Sequence, residues 1–269
     1  MRTAILTSTD TRHRFAVNFL RARHELAAVV YQDTGYAPAD VAADRIDAHT
    51  AAVLKHHFDE RRRQEERFFA HDAELLTDSP SCRVLHVDTN TLNTDGTVSF
   101  LGKAGVEAVA VYGTGLIKPP LLDAFPGRMI NMHLGLSPYY RGTATNFYPL
   151  LNDEPEYVGA TIHLIDAGID SGAIIHHARP DITADDMPHT VGCKAILAGL
   201  KKLSQTVTEL AEGRLVATPQ WEAPNPKLYL RKDYHPSQVV KLYEMIEAGL
   251  FPNYAARKEQ VQNTLRLVH

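Results

Sequence analysis

Two short runs without a polar face, residues 3–7 (TAILT) and 26–31 (LAAVVY), flank a segment in which Phe15, Phe19 and Leu20 recur at helical spacing. A strand whose successive residues are nearly all apolar must be covered on both faces, which is the condition of a strand in a parallel sheet. Two such strands joined by a helix read as a βαβ unit. Further apolar runs at 83–87, 106–111 and 128–132 continue the series. The pattern predicts an α/β fold with a mostly parallel twisted sheet and helices on both faces. Two later strands, 158–165 and 173–178, are expected to pair antiparallel.

No Gly-rich turn follows the first strand, so the fingerprint of a dinucleotide-binding crossover is absent. A length of 269 residues allows one large domain, or one domain with a small appendage. The net charge of -4 gives no general reason to expect a polyanion, and no nucleic-acid partner is expected. Cys82 and Cys193 form neither a CxxC pair nor a disulfide framework, which favours a reducing compartment. The first residues lack a long apolar core, and no run of 18 apolar residues spans a bilayer. A cytoplasmic protein without a membrane partner is the expectation.

Along the chain, the catalytic-sized body is expected to occupy 1–213, with a helical insertion at about 35–81. Within it Leu54, Phe58, Phe68, Leu75 and Leu76 share a narrow stripe, and dense charges of both signs surround them. That reads as a long, mostly solvated helix with ion pairs four residues apart. A lid or acceptor-binding element is the alternative, and the run Arg61-Arg62-Arg63 could then meet an anionic group. A polar loop is predicted over 88–97, a helix over 143–151 and a longer one over 187–212, which Gly213 stops. Residues 214–269 read as a C-terminal extension with one helix at 237–248. Its eight basic and five acidic residues make it mildly basic.

The polar signal lies at the carboxyl end of the 128–132 strand. Asn131 and His133 are two residues apart, so in an extended chain they share a face and can enter one pocket. Tyr112-Gly113-Thr114-Gly115-Leu116-Ile117 follows another strand at the end where open α/β sheets bind ligands. The stretch 166–172 (DAGIDSG) offers Asp166 and Asp170 in a Gly-bounded turn that permits close backbone approach. His176 and His177 are adjacent and would face opposite sides of a strand, and no zinc pattern accompanies them. No catalytic metal is expected.

These blocks together resemble the folate-dependent formyltransferase family, the catalytic domain shared by glycinamide ribonucleotide, methionyl-tRNA and sugar N-formyltransferases. They are the 112–117 segment; Asn131-Met132-His133 with Leu136-Ser137-Pro138 and Arg141-Gly142; and Gly159-Ala160-Thr161-Ile162-His163 with Asp170-Ser171-Gly172. The resemblance implies a Rossmann-like fold and 10-formyltetrahydrofolate as formyl donor. It implies a catalytic trio at Asn131, His133 and Asp170. Tyr112, Gly113, Thr114, Gly115, Leu116, Ile117 and Asp166 would border the folate. His163 is a secondary candidate that either frames the site or packs beside it.

Formyl transfer to an amine passes through a tetrahedral species. It needs a donor at the oxyanion, a route for the proton of the attacking amine, and a carboxylate to orient the imidazole. An amide, a histidine and an aspartate meet those needs, with His133 either a base or a charged oxyanion partner. The tail is too strand-poor for the β-barrel of methionyl-tRNA formyltransferases, and 7–12 (TSTDTR) departs from the Gly/Ser-rich turn of the purine enzymes. The expected acceptor is therefore a small amine, such as an amino sugar or sugar nucleotide. Tyr139, Tyr140, Asn146, Tyr148 and the 229–234 stretch with Arg231 and Lys232 are candidate acceptor contacts. The alternatives are a hydrolase of the same folate, or an inactive folate-binding module. A homo-oligomer is compatible with the sequence.

Overall fold

The computed structural model of the chain describes residues 1–33 and 46–269. The start of the expected 35–81 insertion, up to residue 45, lies outside the described residues. The chain opens with β1 (Thr3–Thr7), α1 (Thr11–Arg21) and β2 (Leu26–Gln32), followed by α2 (Ala48–Phe69). Then come β3 (Arg83–Val87), α3 (Asp95–Lys103), β4 (Ala108–Tyr112), α4 (Leu121–Ala124), β5 (Met129–His133) and β6 (Tyr140–Gly142). The remainder is α5 (Tyr148–Leu151), β7 (Ala160–Leu164), β8 (Ile174–Ala178), α6 (Pro188–Ala211), β9 (Lys227–Tyr229), α7 (Pro236–Glu247) and α8 (Leu250–Gln262).

Seven strands form one sheet in the order β3-β2-β1-β4-β5-β7-β8. The first five are parallel to one another, while β7 runs antiparallel to both β5 and β8; the sequence predicted the second of these pairings and not the first. Successive residues of one strand feed opposite cores. Ile5, Val29 and Ile130 pack with Phe15, Leu20, Leu200 and Leu203 on one face. Ala4, Val30 and Val109 pack with Leu101 and Leu121 on the other. This double coverage is why β1, β2 and β4 contain no polar face. No helix among the described residues is long and apolar enough to cross a membrane.

Four local expectations need correction. Residues 143–151 are not one helix, because only Tyr148–Leu151 is helical. Ala144 takes a left-handed φ of 54°, Thr145 Oγ1 donates to Leu134 O, and Asn146 Oδ1 accepts from Gly159 N–H at 2.9 Å. Side chains that bond to other segments replace the helical ladder there. The loop over 88–97 ends early, since α3 begins at Asp95.

The tail holds more structure than one helix. β9 pairs in parallel with β6 as a second, two-stranded sheet, and α8 follows the left-handed Gly249. Its Leu242, Leu250, Phe251 and Tyr254 are buried with Tyr140, Tyr148 and Leu150 in a third core. The tail thus packs on the loop that follows β5.

α2 ends at Phe69, so Leu75 and Leu76 lie beyond it and do not extend its stripe. Its outer face is charged, as expected, with Lys55–Asp59 and Arg63–Glu60 pairs. Its inner face packs on α1, α6 and α7 and borders the cleft described next.

Candidate active site

A cleft of about 1080 Å³ opens at the carboxyl ends of β4 and β5. Apolar strands end there, backbone direction reverses, and side chains of several elements converge, which is where open α/β sheets accept ligands. Asn131, His133, His163 and Asp170 all border it. The antiparallel register of β5 and β7 sets Asn131 opposite His163. The turn after β7 then brings back Asp170, in a left-handed conformation with φ 47°.

The Asp170 carboxylate is the hub of these groups. Its Oδ2 lies 3.3 Å from His133 Nδ1 and accepts from the Gly142 N–H at 3.1 Å. Its Oδ1 lies 3.4 Å from Asn131 Nδ2 and 3.6 Å from His163 Nε2. Gln220 Nε2 holds the turn itself, donating to Asp170 O at 2.7 Å and Gly172 O at 3.0 Å. Burial by itself would raise the Asp170 pKa. His133, His163 and the Gly142 N–H outweigh it and hold the carboxyl well below its ordinary value. Asp170 is therefore an anion throughout the neutral range.

His163 donates from Nδ1 to Leu164 O at 2.8 Å, so in its neutral form Nε2 is an acceptor, filled by Asn131 Nδ2 at 3.1 Å. This fixes the Asn131 amide with its N–H₂ group toward the imidazole and carboxylate. His133 is 7% exposed, and burial lowers its pKa, with Asp170 pulling the other way and failing to restore it. The carboxylate orients the ring by accepting from Nδ1, so in the neutral ring Nε2 carries a lone pair, and Tyr140 O at 3.2 Å and Thr145 Oγ1 at 3.3 Å stand where they can accept from it once the ring is protonated. A neutral imidazole anchored this way has one nitrogen that can take up or release a proton.

The 112–117 segment borders the cleft throughout. Gly113 sits at φ 76°, and a Cβ there would lie 2.2 Å from His13 Nε2, so a side chain cannot fit. Gly115 N–H donates to Gln32 Oε1 at 2.7 Å, and Leu116 is 56% exposed at the rim. Tyr112 faces inward instead, packed edge-on to His13, with a buried hydroxyl that has no hydrogen-bond partner among the described residues. Asp166 also borders the cleft, but its carboxylate accepts from Gly168 N–H at 3.0 Å and Ser171 Oγ at 2.8 Å. It shapes the turn that presents Asp170.

Several lining residues had no sequence motif to reveal them. Glu65 of α2 accepts from Arg12 of α1 at 2.5 Å and from Arg61 at 2.9 Å. Burial opposes the charge on Glu65, but the two guanidinium groups dominate and lower its pKa. His57 of α2 and His189 at the start of α6 lie with ring centroids 4.3 Å apart, and burial pushes both to about 3. A charge-laced helix hides such inward contacts among its many exposed pairs. Of the expected acceptor contacts, Asn146, Tyr148, Arg231 and Tyr234 border the cleft. Tyr139 and Tyr140 are instead buried in the core beneath it. His176 and His177 diverge as expected, His176 to Glu209 at 2.8 Å and His177 to Ser137 O at 2.7 Å.

The formyl transferase family model matches residues 39–207, well over half of the chain. The chain belongs to the formyl transferase family. A methionyl-tRNA formyltransferase from Heliobacterium modesticaldum is 38% identical over 124 residues, which is 46% of this chain and 39% of that protein. One from Synechococcus elongatus is 31% identical over 161 residues, 58% of this chain and 49% of that protein. The chain thus matches at most about half the length of these curated relatives. Among solved structures, glycinamide ribonucleotide transformylase 1 from Symbiobacterium toebii aligns with TM-score 0.55 at 21% identity, over 82% of this chain and 94% of that one. A formyltransferase from Anoxybacillus kamchatkensis, solved with UDP-4,6-dideoxy-4-formamido-L-AltNAc and tetrahydrofolate, aligns with TM-score 0.52 at 17% identity. That alignment spans 93% of this chain and 95% of that one. At such identities the shared property is the fold.

Proposed function

We propose that the protein is an N-formyltransferase that moves the formyl group of 10-formyltetrahydrofolate to the amine of a small molecule. The observation that carries this reading is the convergence of Asn131, His133 and Asp170 at one end of a cleft large enough for a folate beside an acceptor. The residues present fit such a donor, with an exposed apolar rim at Leu116 and Ile169 and a Gly-turned strand end for a flat ring system. When bound, the formyl-folate supplies an activated formyl carbon.

The chain's own groups do the rest. Asn131 Nδ2 presents an N–H to the oxyanion by giving up its weak 3.4 Å contact to Asp170 and keeping the 3.1 Å bond to His163. His133, neutral near pH 7 because its pKa is lowered, accepts the proton that the amine must lose. Asp170 holds the ring and stabilises the imidazolium that forms. The proton can then pass to the departing folate nitrogen.

For the acceptor, an amino sugar carried on a nucleotide is the proposal. The far end of the cleft holds two half-buried guanidinium groups, Arg12 and Arg61, both paired with Glu65 and Arg12 also with Asp10, groups of the kind that meet an anionic acceptor. The Anoxybacillus protein, crystallised with a nucleotide-linked formamido sugar, gives this choice a parallel of similar length. A cytoplasmic setting fits the two unbridged cysteines, Cys82 and Cys193.

The test is turnover of 10-formyltetrahydrofolate by purified protein with nucleotide-linked amino sugars, glycinamide ribonucleotide and methionyl-tRNA as separate acceptors. Amine-dependent release of tetrahydrofolate with a formamido sugar product is expected. Turnover with methionyl-tRNA alone would replace the acceptor, amine-independent formate release would make the protein a hydrolase, and failure to bind the folate would end the proposal.

A further inference from the structure

His177 lies on β8, the outer strand of the sheet, and is 2% exposed. Its backbone N–H donates to Val268 O at 2.7 Å, and its ring Nδ1 accepts from the Val268 N–H at 2.9 Å. With Nδ1 accepting, the ring proton sits on Nε2, which donates to Ser137 O at 2.7 Å. One imidazole therefore joins the stretch that follows α8 to the loop that follows β5. A second tie lies alongside it, from Tyr139 Oη to Arg266 O at 3.1 Å, while the Arg266 guanidinium covers the Trp221 ring at 4.3 Å.

That loop is in turn bonded to the candidate catalytic groups. Tyr140 O faces His133 Nε2 at 3.2 Å, and Gly142 N–H donates to Asp170 Oδ2 at 3.1 Å. Ser137 is held from the outside by His177 and Tyr139 by Arg266, while of their near neighbours Tyr140 O abuts the His133 ring and the Gly142 N–H holds Asp170 from within. We propose that His177 is a positioning residue, clamping residues 266–268 onto the 137–142 loop and so fixing the geometry of the His133–Asp170 pair from the far edge of the sheet. The proposal deepens the formyl-transfer reading and rests on it for its kinetic readout alone.

Three variants of the full chain test this. His177→Phe keeps an aromatic ring but loses both ring bonds, Val268→Pro removes only the N–H that reaches Nδ1, and His177→Gln restores a donor and an acceptor. Hydrogen exchange is read at the Ser137, Tyr140 and Gly142 amides, which are bonded to Thr161 Oγ1, Leu136 O and Asp170 Oδ2. A lost hydrogen bond of ordinary net strength corresponds to about a three- to tenfold effect. Exchange at these three amides should rise by about that factor in His177→Phe and Val268→Pro, with β1 and β2 amides unchanged. In parallel kcat should fall about three- to tenfold at constant folate KM, and His177→Gln should recover most of both.

Unchanged loop exchange in the two disruptive variants would overturn the proposal, as would uniform acceleration over the whole sheet. Faster loop exchange with unaltered kcat in an active enzyme would equally refute a positioning role. If the parent protein transfers no formyl group to any acceptor, the function reading fails, and the exchange measurement still decides whether the clamp exists.

Discussion

His133 Nδ1 lies 3.3 Å from Asp170 Oδ2, although one residue ends a strand of the parallel half of the sheet and the other sits in the turn after the antiparallel β7. The same Oδ2 accepts from the Gly142 N–H, so a backbone group and an imidazole share one carboxylate oxygen. A Cβ on Gly142 would lie 2.0 Å from Tyr229 O, which ties this shared bond to the pairing of β6 with β9. The His133–Asp170 pair, the loop and the tail are therefore joined in one continuous set of contacts.

Asn131→Ala should lower kcat about 100- to 1000-fold, the range for one lost oxyanion donor, while folate binding stays within a few-fold of the parent. Steady-state kinetics beside equilibrium titration of the folate separates the two. A loss confined to KM would assign Asn131 to binding instead.

Asp170→Asn should depress turnover about 100-fold or more, since a proton-transfer group loses its orientation. The pH profile gives the sign. Burial lowers the His133 pKa and the Asp170 charge raises it, so removing the charge lowers it further. The acid limb of kcat/KM, already below pH 6.5 in the parent, should move to still lower pH in the variant. Activity that falls on the alkaline side of the His133 pKa, in place of an acid limb, would show that His133 acts in its charged form.

Glu65→Gln should leave Arg61 without its carboxylate partner and Arg12 with only the longer 3.4 Å contact to Asp10. Removing one partner of a largely buried ion pair costs about 3–5 kcal/mol, and the partial exposure here reduces that to about 2–3 kcal/mol. Chemical denaturation measures it, and adding Arg61→Gln should recover part of the loss. If the single variant is as stable as the parent, Glu65 is not what holds α2 against α1.

Acid should weaken the fold well above the carboxylate range. Burial holds His13 and His177 at about 4, and His57 and His189 at about 3, against an ordinary value of 6.5. A histidine pKa lowered by folding means that the native state binds fewer protons than the unfolded chain. Its stabilisation is complete above pH 6.5 and is lost as pH falls toward the native value. Each such group contributes a slope of about 1.4 kcal/mol per pH unit within that window. Two of them would remove about 5 kcal/mol between about pH 6.5 and pH 4.5, comparable to the lower end of a typical stability of about 5–15 kcal/mol. Urea midpoints at pH 7, 6 and 5 should fall in order, and a flat series would contradict the burial of these rings.

The sheet was legible in the sequence because its cause is local. Strands covered on both faces must be apolar throughout, so β1, β2, β4 and β5 announced themselves, and the spacing of Asn131 and His133 followed from the alternation of an extended chain. The resemblance added Asp170. What no local rule contains is partnership across distance. Thr145 and Asn146 leave the helical pattern because Leu134 O and Gly159 N–H compete for their side chains. Glu65, Arg12 and His189 read as ordinary surface or cap residues until α2 is laid against α1 and α6.

By itself, then, the sequence determined the layered α/β architecture, the strand end that carries the reactive groups and the kind of chemistry they suit. Only the tertiary structure decided how those groups are held. Asp170 is an anion because the groups around it, His133 and the Gly142 N–H among them, outweigh its burial, and the His133 pKa is lowered because burial outweighs that charge. The tail reaches the site because the apolar residues of α7 and α8 have a third core to fill beneath the catalytic loop. Side-chain period is written in neighbouring residues, whereas desolvation and hydrogen-bond partnership exist only once distant segments have met.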